Sequence, residues 1–354
     1  MTKAAELAKW GEVSTNGQVS GRRNMIINGA MQVAQRSASV TGIGASSGYF
    51  TLDRWQLALG STAGRLTMTQ TADGPVGFAN CMKLDCTTAD ASIAAGEYTL
   101  IVQKFEGQDL QSIGKGVAGA KEITVSFYVK ANAAFTFGVE LYDLDNQRQI
   151  TKLFDTTTGW VRHEFTFAAD VDDGSSPFDD DNAHSFSLNF WIHGGATYTG
   201  GTLNTASFAN TTQANRAAGI DSFFSSTDNN FFITGVQLEV GSVATPFEHR
   251  SFGEELALCQ RYYYDPKLSS GNYWWLHPIV TDSTGSYRRG SFPLPTAMRA
   301  DPTATLTGAT NGTFASNMPA VEGNDHRHYI GLTGDTNGEN KYSDIRSLTL
   351  DAEL

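Results

Sequence analysis

Between residues 123 and 130 the chain reads Ile-Thr-Val-Ser-Phe-Tyr-Val-Lys, which sets Ile123, Val125, Phe127 and Val129 at every second position. A period of two gathers these four side chains on one face of a strand, whereas a helix would scatter them, so the segment predicts a strand with one buried face. The stretches 135–141, 160–167, 186–192 and 231–238 read the same way. Roughly seven or more such strands between Leu66 and Glu248, joined by Gly- and Asp-rich turns, can cover their apolar faces only against a second sheet. The expectation is an all-β chain whose main body, residues 46–250, is a jelly-roll β-sandwich with Trp55 and Trp160 in its core.

The ends follow other patterns. Residues 4–10 can form one or two helical turns with Leu7 and Trp10 on one side before Gly11 breaks them. A helix this short is marginal alone in water and gains order by packing on a neighbour. Residues 1–45 therefore read as a helical or extended docking segment, with Leu7, Trp10, Arg22, Arg23, Met25 and Ile27 as its contact residues. Residues 251–264 predict a short helical connector with Leu256 and Cys259 on one side. From 265 to 354 strands resume among loops rich in Gly, Asn, Thr and Ser, which predicts a smaller β-domain with exposed loops.

Two blocks look like a known type of protein. Asn24-x-Ile-Ile-Asn-Gly-x-Met-x-x-x-Gln-Arg36, followed by Asp53-Arg54-Trp55, resembles the opening of tail fibre and related virion proteins of marine tailed bacteriophages. Residues 125–131, 159–161 running into 165–167, and 232–241 resemble the carbohydrate-binding-module type of jelly roll. The closing strand then continues into Pro246-Phe247-Glu248 and a Cys259-Gln260-Arg261-Tyr262-Tyr263 helix end. The resemblance implies a structural phage protein that is not an enzyme, most simply a homotrimeric tail fibre subunit. Residues 1–45 would attach to other virion proteins, and the C-terminal part would meet a host-surface glycan or protein during adsorption. The alternative reading is a capsid or tail decoration or adaptor protein that stabilises the particle without touching the host. A third, a secreted binding module attached to an enzyme, is disfavoured because neither a signal-peptide pattern nor a catalytic domain is apparent.

Composition narrows this further. Charged residues make up 18%, aromatics 11%, and the chain holds 36 Gly, a turn-rich β profile. A formal net charge of -12 and the lack of any basic patch beyond Arg22-Arg23 and Arg288-Arg289 argue against nucleic-acid partners. No apolar run approaches a membrane span, so membrane insertion is not expected, and release from the producing cytoplasm would be by lysis. The three cysteines, Cys81, Cys86 and Cys259, lack metal-ligand spacing, and free, partly buried thiols are favoured over a Cys81–Cys86 bond.

Candidate chemistry is sparse. The acidic loop over 170–181 offers Asp170, Asp172 and Asp173 to Ca²⁺, but its spacing does not fit an EF-hand and a solvated loop is the simpler reading. His326 and His328 could ligate a transition metal from one strand face, or sit in a polar loop. No cofactor is expected. Asp143, Asp145 and Glu140 are the carboxylates a glycosidase would draw on, with no motif to fix them. Sugar binding needs only aromatic faces beside hydroxyl-reading groups, and Trp191, Tyr198, Tyr273, Trp274 and Trp275 are of that type. Adjacent residues such as Trp274 and Trp275 point to opposite faces of a strand, so at most one is interior, and the other suits a subunit interface or a ligand.

Overall fold

The structure, a computed structural model, describes Lys3 and residues 23–171, 177–266, 274–276, 280–281, 287–307, 329–335, 343–345 and 347–354. The chain divides into two compact units, Met1–Phe252 and Gly253–Leu354.

The first unit is a β-sandwich of two antiparallel sheets. The six-stranded sheet runs β1 (Ser39–Ile43), β4 (Arg65–Thr71), β5 (Cys81–Thr88), β13 (Asn230–Val240), β7 (Ile123–Ala131) and β10 (Val161–Phe167). The seven-stranded sheet runs β12 (Ala209–Asn210), β9 (Arg148–Asp155), β8 (Thr136–Asp143), β11 (His184–Gly194), β6 (Tyr98–Glu106), β3 (Gln56–Gly60) and β2 (Gly48–Tyr49). The alternation read from the sequence sets their register: Ile123, Val125, Phe127 and Val129 from one sheet meet Phe186, Leu188, Phe190 and Ile192 from the other in a single core. Its aromatic rings interlock edge-on, as with Phe127 against Phe190 at 5.0 Å. None of the three cysteines forms a disulfide and all are buried, and burial pushes the Cys81 thiol up to about 11, which leaves it unreactive.

Residues 23–45, expected to stand apart as a docking segment, are woven into this sandwich. β1 pairs with β4, and Met25 N–H donates to the Leu238 carbonyl of β13 at 2.9 Å. Glu248 Oε2 accepts the backbone N–H of Arg23 at 2.7 Å and of Asn24 at 2.9 Å, so the Pro-Phe-Glu exit ties the start of the unit to its end. A bulge in β13 at Gly235, whose φ of +61° favours glycine, lets Val236 N–H reach the Gly29 carbonyl at 3.0 Å. A side chain on Gly29 would meet the Val236 oxygen at 2.2 Å, so only glycine fits that approach.

The motif of residues 24–36 and 53–55 has a physical role here. Asn28 Nδ2 donates to the carbonyls of Val33 at 2.8 Å and Asp53 at 3.0 Å, and its Oδ1 accepts Val33 N–H at 2.9 Å. Trp55 Nε1 donates to the Asn28 carbonyl at 3.1 Å, and Gln35 N–H donates to Asp53 Oδ1 at 3.0 Å. Asn28, Gln35, Asp53, Arg54 and Trp55 are all buried, so the two sequence blocks close into one hydrogen-bonded polar lock. Trp55 is core as expected, but Trp160 is only half-buried. It packs against Phe232 and under Lys130 on the outer face of the six-stranded sheet.

Helix α2 begins at Phe252 and ends at Gln260. Three small sheets follow in the second unit: β14 (Tyr263–Tyr264), β21 (Ser347–Asp351) and β18 (Thr303–Thr307); β15 (Trp274–Leu276) with β20 (Ser343–Ile345); and β16 (Val280–Thr281), β17 (Tyr287–Pro293) and β19 (Tyr329–Asp335). Arg299 Nε donates to the Ala352 carbonyl at 2.8 Å, holding the last residues of the chain to this unit.

Candidate functional site

Because Phe186, Leu188, Phe190 and Ile192 of β11 point into the core, the intervening Ser187, Asn189 and Trp191 lie on the opposite, outer face. The same parity places Glu140 and Tyr142 of β8 and Tyr98, Leu100 and Val102 of β6 beside them. A flap, residues 195–222, crosses this face. It turns away from β11 at Gly195, where a side chain would meet the Ala94 oxygen at 2.0 Å, and enters α1 (Ala196–Thr199). Asn204 pins the flap to β9 through its carbonyl, which accepts Thr151 N–H at 2.8 Å, and its Nδ2, which donates to the Gln149 carbonyl at 2.7 Å. Tyr198, Ala217 and Ile220 of the flap complete a second apolar cluster with Leu100, Val102 and Trp191.

At the centre is a buried ion pair. Arg216 reaches from the flap with Nε 2.7 Å from Glu140 Oε1 and Nη2 2.8 Å from Oε2. Asn189 Nδ2 at 2.8 Å and Trp191 Nε1 at 2.9 Å donate to the same Oε2. Four donors thus satisfy a carboxylate that has no exposure to water, the condition on which a buried charge is tolerated. Burial pulls the Arg216 pKa down, but the facing Glu140 carboxylate outweighs it and the net shift is upward. The guanidinium lies 4.5 Å from the Tyr142 ring centre and 5.1 Å from that of Trp191.

Around this pair stand three half-buried tyrosines, Tyr98, Tyr142 and Tyr198. Tyr198 packs on Tyr98 at 5.3 Å and on Trp191 at 5.2 Å, and Tyr142 Oη donates to Gln147 Oε1 at 2.7 Å. Burial raises the Tyr142 and Tyr198 pKa values, so both hydroxyls stay protonated. The face offers apolar rings, phenolic donors and neutral amides in a setting whose one buried charge pair is internally matched.

The structure brings together two of the residues proposed for contact, Trp191 and Tyr198. Trp191 is 1% exposed, so it supports the rim from below and cannot itself stack on a ligand. Tyr273 lies outside the described residues, and for Trp274 and Trp275 only the backbone of β15 is described. Of the docking candidates, Leu7, Trp10 and Arg22 lie outside the described residues. Arg23 and Met25 are bonded to Glu248 and β13, and the Ile27 backbone forms a two-way bridge with the Gln103 side chain at 2.7 and 2.8 Å. Asp170 accepts Arg148 Nε at 2.8 Å and Nη2 at 2.9 Å, so its carboxylate is already spent on a buried ion pair. Asp172, Asp173, His326 and His328 lie outside the described residues.

Two of the three glycosidase candidates are engaged in ion pairs, and the third, Asp145, is exposed. Asp143 pairs with Lys115 at 2.7 Å, both buried, and Glu140 pairs with Arg216. Tyr98, Tyr142, Asn189 and Arg216 were not picked out from the sequence. A usable signal existed in Glu140-x-Tyr142 and Asn189-x-Trp191, polar and aromatic residues two apart inside otherwise apolar strands, which places each pair on one face. Among the described residues one group gathers metal-ligating atoms, Asp90, Glu97 and His193, within 4.8 Å of one another, and it lies away from this face.

No family model matches the chain, and no curated protein matches it in sequence. Solved structures with a similar course include one titled as a CBM4 module, 10% identical at a TM-score of 0.31, covering 60% of this chain and 97% of that one. A TmCBM61 module solved with β-1,4-galactotriose is 9% identical at a TM-score of 0.31, covering 62% and 99%. The family 11 carbohydrate-binding module of a cellulosomal cellulase of Clostridium thermocellum is 15% identical at a TM-score of 0.28, covering 61% and 100%. The fold assignment rests on strand order and register, not on these likenesses.

Proposed function

We propose that this protein is a non-enzymatic subunit of a phage particle, a tail fibre protein, whose sandwich contacts a glycan through the tyrosine rim of the seven-stranded sheet. The observation that carries the glycan half is the rim itself. Tyr98, Tyr142 and Tyr198 are partly open to solvent around a charge pair that needs no further partner. Aromatic planes next to hydroxyl and amide groups suit the apolar faces and the hydroxyls of pyranose rings. The binding reading is also the simpler one because Glu140 and Asp143 are committed to Arg216 and Lys115, whereas a hydrolase needs its two carboxyl groups free to act on substrate.

The virion half rests on the resemblance of residues 24–36 and 53–55, and on it too rest the homotrimer, the attachment to other virion proteins and release by lysis. Glycan-array screening of the full chain, followed by calorimetry on the best sugar, tests the binding half. The Tyr98→Ala/Tyr198→Ala variant is expected to bind at least about tenfold more weakly, the loss of about 1.4 kcal/mol. Gold labelling of intact particles tests the other half: signal at the tail tip supports a fibre, and signal spread over the head supports decoration.

A further inference from the structure

At the end of the sandwich where three loops converge, two buried carboxylates and an imidazole face one another. Asp90 comes from the β5–β6 loop and its backbone N–H donates to the Phe224 carbonyl at 2.9 Å. Glu97 sits one residue before β6, with its carbonyl accepting Gly195 N–H at 2.8 Å, so the β6–β11 ladder continues through it. His193 lies on β11 with Nε2 3.4 Å from Glu97 Oε2. All three residues are buried, and their ligand atoms lie within 4.8 Å of one another.

We propose that Asp90, Glu97 and His193 form a binding site for one divalent transition-metal ion of the zinc type. Two buried carboxylates next to each other cannot both stay charged without compensation, and among the described residues no lysine or arginine pairs with either; in the metal-free chain the two carboxyl groups hydrogen-bond to each other through one shared proton. A doubly charged ion would displace that proton and compensate both. Zinc bonds of roughly 2.0–2.2 Å in a tetrahedron set neighbouring ligand atoms about 3.4 Å apart, the spacing seen between His193 and Glu97.

The surroundings are those of an oriented ligand set. His193 Nδ1 is 2.8 Å from Ser222 Oγ, which also accepts Phe224 N–H at 3.2 Å, so Nε2 is the nitrogen turned toward the carboxylates. Asp90 Oδ2 is held by Thr62 Oγ1 and Ala63 N–H, each at 3.1 Å, and its Oδ1 by Ser92 N–H at 3.1 Å. An independent observation points to a missing partner. Thr99 has no exposure, its hydroxyl has no hydrogen-bond partner, and it is the residue directly opposite His193 in the β6–β11 ladder, on the same face. An ion at the centre, or water on that ion, would give this buried hydroxyl a partner.

The test is titration of the chelator-treated full chain with ZnCl₂. The expected result is one equivalent bound, with the melting temperature raised by about 5–10 °C at a hundredfold excess over the dissociation constant. Glu97→Gln and His193→Gln should each abolish the bound equivalent and the rise, while His326→Gln/His328→Gln should leave both in place. Should either single variant fail to fold, X-ray absorption of the zinc-loaded wild type decides: one imidazole nitrogen among oxygens is expected, and two imidazoles or any sulfur would overturn the site. Absence of bound zinc in the wild type, or its retention in both single variants, would also overturn it.

Discussion

The two outer faces of the sandwich share one pleat and have opposite characters. On the seven-stranded sheet the 195–222 flap covers Trp191 and drives Arg216 onto a carboxylate with no exposure. On the six-stranded sheet the ion pairs stay in partial contact with water, Lys83 with Asp85 at 2.8 Å and Lys130 with Asp73 at 2.7 Å, and the buried Glu239 carboxylate is held by neutral donors, Gln237 Nε2 at 2.8 Å and Thr245 N–H at 3.0 Å. Lys130 also lies over the rings of Phe232 at 4.6 Å and Trp160 at 5.1 Å. The same kinds of side chain therefore carry very different energies, because a desolvated charge depends on its partner and a solvated one does not.

Removing the guanidinium breaks that contrast most severely. Arg216→Met strands Glu140 in the interior and should cost about 3–5 kcal/mol in chemical denaturation, with Arg216→Met/Glu140→Gln recovering part of it. A smaller effect should appear on acidification, in part from the seven-stranded sheet. Burial first, then the charge of Lys104, pushes His184 at the head of β11 down to about 4. The folded chain keeps this imidazole neutral while the unfolded chain takes up its proton near the ordinary value of about 6.5. Its contribution is fully present above that value and is lost as pH falls from about 6.5 toward 4, by at most about 3 kcal/mol. His184→Gln should make that part of a melting-temperature profile against pH less steep, the remainder including His193, which burial also pushes down to about 4. Smallest of all, Lys83→Ala and Lys130→Ala on the six-stranded face should each cost less than about 1 kcal/mol, and added salt should shrink the difference.

Most of the sandwich was legible because burial on one face imposes a period of two, and the strands named around Phe127, Phe190 and Phe232 were found within a few residues of their predicted ends. β9 was not singled out, since Arg148-Gln-Ile-Thr-Lys-Leu-Phe-Asp looks too polar for a sheet interior. Its arginine is buried only because Asp170, 22 residues later, accepts it. The lock around Asn28 escaped for the same reason: its partner Asp53 and the Glu248 that caps Asn24 are distant in sequence, and each residue alone looks like a surface polar group. Trp160 and Trp191 exchanged their expected places. Trp160 finds cover from a lysine stem and a phenylalanine outside the core, and Trp191 is sealed by a flap that no local pattern announces. The helix over Phe252–Gln260 was readable from Leu256 and Cys259, whereas His326 and His328 lie outside the described residues.

The most direct test sets the two faces against each other in one binding experiment. With the best sugar from an array, calorimetry on Tyr98→Ala/Tyr198→Ala should show affinity reduced at least about tenfold, while Trp160→Ala/Lys130→Ala binds as the wild type does. Wild-type affinity in the tyrosine variant, together with loss in the Trp160 variant, would contradict the assignment of the contact face.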